Sequence, residues 1–141
     1  MSLEYENAYL YAHMAHDGQM DKGGHEYIEH LVAVAGGVED ELKVPALLHD
    51  ILEDTNITYS ELKDEFGVEC ADIVMILTRN EGESYEEYIR RVGLVRDAAI
   101  IKMADLKHNM DFTRLPKLTV KDFERVQKYH TAYKYLEKIV G

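Results

Sequence analysis

Apolar residues recur at helical spacing along most of the chain, and no run alternates at the two-residue period of a strand. Residues 3–16 carry Leu3, Tyr9, Leu10, Ala12 and Ala15 among polar positions and predict a first helix. The stretch MDKGGH breaks it. Residues 26–35 then predict a short helix closed by Gly36 and Gly37. Residues 39–54 predict the next, with Pro45 either starting its inner part or bending it, because proline removes a helix-interior donor. Thr58-x-x-Glu61 and Ser84-x-x-Glu87 both fit the capping box, each opening an amphipathic segment. Gly67 separates residues 58–66 from a more apolar helix over 68–78. Residues 95–110 predict a long, largely buried helix, and Thr119 caps a more polar one over 120–139. With no internal repeat, Gly-rich phosphate loop or dividing linker, the expectation is all-α. Residues 1–141 should form one compact domain of six to eight helices.

Composition narrows the function. A chain of 141 residues with 46% hydrophobic residues supports one core, and no apolar stretch approaches the ~20 residues that span a bilayer. MSLEYENAYLYAH has no basic region before an apolar block, so a secretory signal is not expected. A single cysteine, Cys70, excludes an internal disulfide framework and suits a reducing cytoplasm. A net charge of −11 disfavours a nucleic-acid polymer as partner. Small anionic substrates stay compatible if a metal or a few local cations supply the opposite charge. Self-association is left open.

The chemistry concentrates in residues 47–55, LLHDILEDT. With 7 His and 11 Asp, roughly half a His-Asp pair is expected by chance, so the two present (His16-Asp17 and His49-Asp50) say little. Adding Glu53 and Asp54 lowers the chance expectation to about five in a thousand. At about 100° per residue, Asp50, Glu53 and Asp54 share one helix face, with His49 one step round. Leu47, Leu48, Ile51 and Leu52 fill the other directions and predict burial. Buried carboxylates protonate or find a cation, so the pattern calls for a divalent metal or several basic partners; a solvated acidic stripe is the alternative. His30, in EYIEHLVAV, and Asp105, in IIKMADLKHN with Asn109 at i+4, could complete a mixed N/O set suited to Mn²⁺, Fe²⁺, Zn²⁺ or Mg²⁺.

Taken together, these residues resemble the HD-domain metal-dependent phosphohydrolases, in which an isolated His, a His-Asp pair and a distant Asp bind one divalent ion. The match is closer to the small hydrolase branch related to Rel/SpoT proteins. It runs through Ala12…His16-Asp17-Gly18-Gln19, Lys22…Tyr27-Ile28-Glu29-His30, Leu47 to Thr55 and Met103-Ala104-Asp105…Asn109, and covers most of the chain. The resemblance implies that His30, His49, Asp50 and Asp105 hold Mn²⁺ or a similar ion. It makes Glu53 and Asp54 the handlers of the attacking water, and Lys22 and Asn109 nucleotide contacts. It puts His16 in an ordered loop near the site rather than in the metal shell; His13, His25 and His130 have no role and default to the surface.

The implied activity is hydrolysis of a phosphoester or pyrophosphoester on a small nucleotide, with guanosine 3′,5′-bis(diphosphate) 3′-pyrophosphohydrolase as first candidate. A nucleoside monophosphate or phosphorylated dinucleotide as substrate, or a non-catalytic nucleotide-binding module, are the alternatives. No synthetase accompanies the hydrolase motifs, so a monofunctional enzyme is expected. The chain departs from the guanosine-bis(diphosphate) hydrolases at Asp21, Glu26, Leu31 and Leu106. Two lost cations and an added anion there should weaken binding of two pyrophosphates, unless Lys102, Lys107 or Arg79 compensates.

Overall fold

Local hydrogen bonds set where the helices begin. In the computed structural model, which describes residues 2–141, the helices are α1 (Leu3–Ala15), α2 (Tyr27–Gly36), α3 (Lys43–Leu47), α4 (Ile51–Asp54) and α5 (Tyr59–Phe66). They are followed by α6 (Val68–Leu77), α7 (Tyr85–Val92), α8 (Arg96–Asn109) and α9 (Val120–Val140). Both predicted capping boxes form. The Thr58 hydroxyl accepts from the Glu61 N–H at 3.2 Å while the Glu61 carboxylate accepts from the Thr58 N–H at 3.2 Å. Ser84 and Glu87 repeat the exchange before α7, and Thr119 and Asp122 before α9. Gly67, at φ +91°, supplies the left-handed turn between α5 and α6 that other residues resist.

The expected helix over 39–54 is broken. A 3₁₀ turn, Asp40–Leu42, precedes α3, and a turn over Leu48–Asp50 parts α3 from α4. Pro45 lies inside α3, so it is not the break. The cause is His49. Its Nδ1–H donates to the Ala46 carbonyl at 2.6 Å, the acceptor that a continuing α-helix would offer to the Asp50 N–H. Taken as one interrupted helix, α3 and α4 bring the total to eight among the described residues, and none of the described residues forms a strand.

Apolar stripes then decide the packing. α3 is buried almost all round, through Val44, Pro45, Ala46 and Leu47, and α1, α2 and α6 pack on it. α8 turns Ala98, Ile101 and Leu106 inward and is covered by α2, α6, α7 and α9. Leu31, Leu48, Ile51, Leu62, Val74 and Leu136 complete a single core cluster. α8 is less buried than expected: one face carries its core residues, while Arg96, Lys107 and Asn109 face solvent. None of the described helices is long and apolar enough to cross a membrane. α2, the turn after α3 and α8 carry the imidazole and acidic groups into this core.

Candidate metal centre and adjoining cavity

α2, the Leu48–Asp50 turn and α8 each deliver polar side chains to one point in this apolar interior. His30, His49 and Asp105 are buried and Asp50 is half-buried. One donor atom from each of the four lies within 4.8 Å of all the others. His30 Nε2 stands 2.9 Å from Asp105 Oδ1, and His49 Nε2 stands 3.2 Å from Asp50 Oδ2 and 3.3 Å from Asp105 Oδ1.

The hydrogen-bond accounting leaves a positive charge to be found. Because His49 Nδ1 donates to a carbonyl, a neutral His49 would aim its Nε2 lone pair at two carboxylates. That nitrogen is buried and makes no hydrogen bond of good geometry. Burial alone would depress the His49 pKa, yet Asp50 and Asp105 outweigh it and push it well above the ordinary range. Burial likewise raises Asp50, but the His49 imidazolium beside it brings the net value down to about 2. A cation at this point would meet the same demand as the His49 proton. Two ligands on one ion at bond lengths of about 2.1 Å and right angles stand about 3 Å apart, which matches the observed separations. The donor set fits a divalent ion.

Further contacts brace the four. The Tyr27 hydroxyl donates to Asp50. Asp105 accepts from Lys102 Nζ at 2.8 Å and Asn109 Nδ2 at 3.1 Å; burial pushes its pKa up, but Lys102 and His49 hold it well below the carboxylate range. His30 Nδ1 meets His108 Nδ1 at 2.7 Å. Burial, then His30 and Arg114, depress the His108 pKa. Neither Tyr27 nor His108 has a role in the sequence reading. For His108 a signal exists, since it lies at i+3 from Asp105 on the same side of α8. Tyr27 likewise stands three residues before His30 on α2, within the quoted motif, but its partner Asp50, 23 residues away, is not indicated by spacing.

Glu53 and Asp54 depart from expectation. Both are exposed at the rim, not buried with Asp50, because α4 is a single turn whose end faces solvent. Desolvation, then Asp50, still raise both carboxyls above their ordinary values, and Asp54 adds to the rise at Glu53. Asp54 accepts from Gln19 Nε2 at 3.4 Å, and Gln19 Oε1 lies 2.8 Å from His16 Nδ1. His16 is thus a buried neighbour of the site, outside the four-residue cluster, while His13, His25 and His130 are exposed.

Lys22 and Asn109 line a cavity of about 290 Å³ with Tyr27, Arg114, Arg125 and Tyr129. The sequence departures read differently in place. Leu106 is a core residue 1% exposed and Leu31 is fully buried, so neither position offers a charge to a ligand here. Asp21 does not stand as a free anion: Arg114 donates to it, as do the backbone N–H groups of Gly23 and His25 at 2.9 Å. Burial raises the Asp21 pKa, but these bonds and Arg114 bring it below the usual value.

An all-α bundle with a largely buried His/His/Asp/Asp cluster under an acidic rim is a protein whose interior could hold a metal ion beside a polar cavity. The family model described as HD domain matches residues 8–130, and the chain belongs to that family. The guanosine-3′,5′-bis(diphosphate) 3′-pyrophosphohydrolase of Haemophilus influenzae is 38% identical over 117 residues, 72% of this chain and 17% of the relative. The bifunctional (p)ppGpp synthase/hydrolase SpoT of Escherichia coli K12 is 37% identical over 119 residues, 73% of this chain and 17% of that one. The chain therefore spans about a sixth of the length of these curated relatives. In fold it is similar to a metazoan ortholog of SpoT, described as hydrolysing ppGpp, with a TM-score of 0.78 and 24% identity over 99% of this chain and 86% of the other.

Proposed function

We propose that this chain, as one domain over residues 1–141, is a metal-dependent phosphohydrolase acting on a small nucleotide. Guanosine 3′,5′-bis(diphosphate) is the first candidate, cleaved at its 3′ ester to guanosine 5′-diphosphate and pyrophosphate. The observation that carries this is the juxtaposition of a His/His/Asp/Asp cluster suited to a cation with two carboxylates exposed at its edge. The 37–38% identity to guanosine-bis(diphosphate) hydrolases across the same residues supports it. His30, His49, Asp50 and Asp105 would hold the ion, with Mn²⁺ the first choice for a mixed imidazole–carboxylate set. A divalent ion held there supplies Lewis-acid charge to the phosphoryl group and makes nearby water more acidic. Glu53 and Asp54, exposed at the edge of the cluster, take the proton of the attacking water. Lys22 and Asn109 hold the nucleotide in the adjoining cavity. The substrate class and the lone, buried Cys70 suit a cytoplasmic enzyme.

The test is product chromatography of a nucleotide panel incubated with the Mn²⁺-loaded protein. The expected result is release of phosphate or pyrophosphate from at least one member, guanosine 3′,5′-bis(diphosphate) first. Hydrolysis confined to nucleoside monophosphates would move the substrate but keep the chemistry. Tight nucleotide binding without turnover of any member would replace the enzyme with a binding module.

A further inference from the structure

The turn His16-Asp17-Gly18-Gln19 lies outside the metal cluster, yet its two polar ends face each other. The Gln19 N–H donates to the His16 carbonyl at 2.9 Å. Gly18, at φ +79°, takes the left-handed conformation at the third place of that four-residue turn. The reversal puts His16 Nδ1 2.8 Å from Gln19 Oε1. The Gln19 carbonyl accepts from the Tyr27 N–H at 3.0 Å, beside a bridge between Met20 and Glu26, so the backbone on both sides of Gln19 is held. His16 is buried, with the Tyr27 ring centred 5.2 Å from its own, and the Tyr27 hydroxyl donates to Asp50. One small unit thus reaches Asp50 through Tyr27 and Asp54 through Gln19 Nε2, at 3.4 Å.

The direction of each bond follows from Asp54. An ionised carboxylate only accepts, so Gln19 turns its amide N–H to Asp54 and its oxygen to His16. That oxygen needs a donor, which places a proton on His16 Nδ1. His16 Nε2 is buried without a partner, so a neutral ring has one N–H and aims it at Gln19. Asp54 itself is exposed at the end of a single helical turn, and among the described residues no other side chain bonds its carboxylate. A carboxylate without such a contact samples several rotamers, whereas taking a proton from water requires it within hydrogen-bond reach at one place.

We propose that His16 and Gln19 are positioning residues for Asp54: the imidazole fixes the direction of the Gln19 amide, and the amide holds the carboxylate beside the cluster, where it meets the proton of the attacking water. The proposal rests on the hydrolase reading above and adds two residues that act through Asp54 rather than through the ion.

The experiment uses the Mn²⁺-loaded full chain and a nucleotide that the unmodified protein hydrolyses. Gln19→Leu should lower kcat about tenfold, while KM and Mn²⁺ affinity stay within about twofold because the ligands and the cavity are untouched. Gln19→Glu keeps the size and an acceptor for His16 but turns an oxygen on Asp54, and should lose at least as much in kcat. In an Asp54→Ala background neither change should cost more than about twofold, since its target is gone. His16→Asn can set an amide N–H near the place of the Nδ1–H, and should keep most of the rate that His16→Leu loses. Losses of full size without Asp54, a Gln19→Glu chain as active as the unmodified one, or equal losses in the two His16 variants would overturn the proposal. The hold on Asp54 also has a readout that needs no turnover. In the Zn²⁺-loaded chain at about pH 8, ¹⁵N spectra of the His16 ring should show the Nδ1–H tautomer, and the Nε2–H tautomer would overturn the proposal. An unmodified chain that hydrolyses no nucleotide defeats the hydrolase reading separately, and the ring spectrum then decides on the hold alone.

Discussion

At the scale of single residues, the contact between His30 and His108 fixes which nitrogen can carry which proton. Two Nδ1 atoms 2.7 Å apart need one donor and one acceptor. His30 turns Nε2 toward Asp105 and the cluster, so giving that lone pair to an ion puts the His30 proton on Nδ1, with His108 accepting. His108 is a positioning residue in this account. His108→Phe should lower Mn²⁺ affinity about ten- to a hundredfold, and His108→Gln, which can still accept, should recover most of it. Titration followed by the electron paramagnetic resonance of free Mn²⁺ reads this directly, and equal affinity in the two variants would remove His108 from the site. The sequence disclosed the residues whose types alone are informative: His30, His49, Asp50 and Asp105 are costly in apolar segments, and the structure brings them together. Tyr27, though part of the quoted motif, and His108 received no role because a tyrosine or a lone histidine on a half-exposed helix is ordinary until its partner is known.

Elements were legible wherever a hydrogen bond spans three or four residues. The capping boxes at Thr58 and Ser84 and the cap at Thr119 are such bonds, and each helix begins where they place it. The break between α3 and α4 was not legible, because it depends on the His49 ring taking a backbone acceptor rather than on proline. The link between α6 and α7 is likewise tertiary. Arg91 bonds to the Ile76 and Thr78 carbonyls, both at 2.9 Å, and to both oxygens of Glu83. Hydrogen bonds from Arg91, then from the Asn80 N–H, hold the Glu83 carboxyl at about 2, below its ordinary 4.5. A carboxyl depressed on folding stabilises above its unfolded pKa and loses that contribution as pH falls through the folded one. Wild type should therefore melt a few degrees above Glu83→Gln at pH 6, with the gap narrowing from about pH 4.5 toward pH 2. Thermal melts by circular dichroism across that range check it, and a gap independent of pH would show that the ion pair is not its source.

For the whole molecule, the balance of charge mattered more than its total. A net charge of −11 coexists with a cavity that holds Lys22, Arg114 and Arg125 beside the four-residue cluster. Read along the chain, Asp21 is a lost cation; folded, it is one half of an ion pair spanning 93 residues. Leu106 likewise belongs to the core rather than to the cavity, a distinction that helix periodicity allows but does not decide. The helices, the four cluster residues and Lys22 and Asn109 of the cavity wall could be named from the chain, whereas the pairing of Asp21 with Arg114 across 93 residues could not.

The central claim is that a single divalent ion belongs at His30, His49, Asp50 and Asp105, with Glu53 acting on water rather than on the ion. Mn²⁺ binding by wild type, Asp50→Ala and Glu53→Gln, measured beside turnover of the hydrolysed nucleotide, tests it most directly. The account predicts about one ion per chain in wild type and Glu53→Gln, none in Asp50→Ala, and turnover in wild type alone. A wild-type chain that binds no ion, or an Asp50→Ala chain that binds as tightly as wild type, would contradict it.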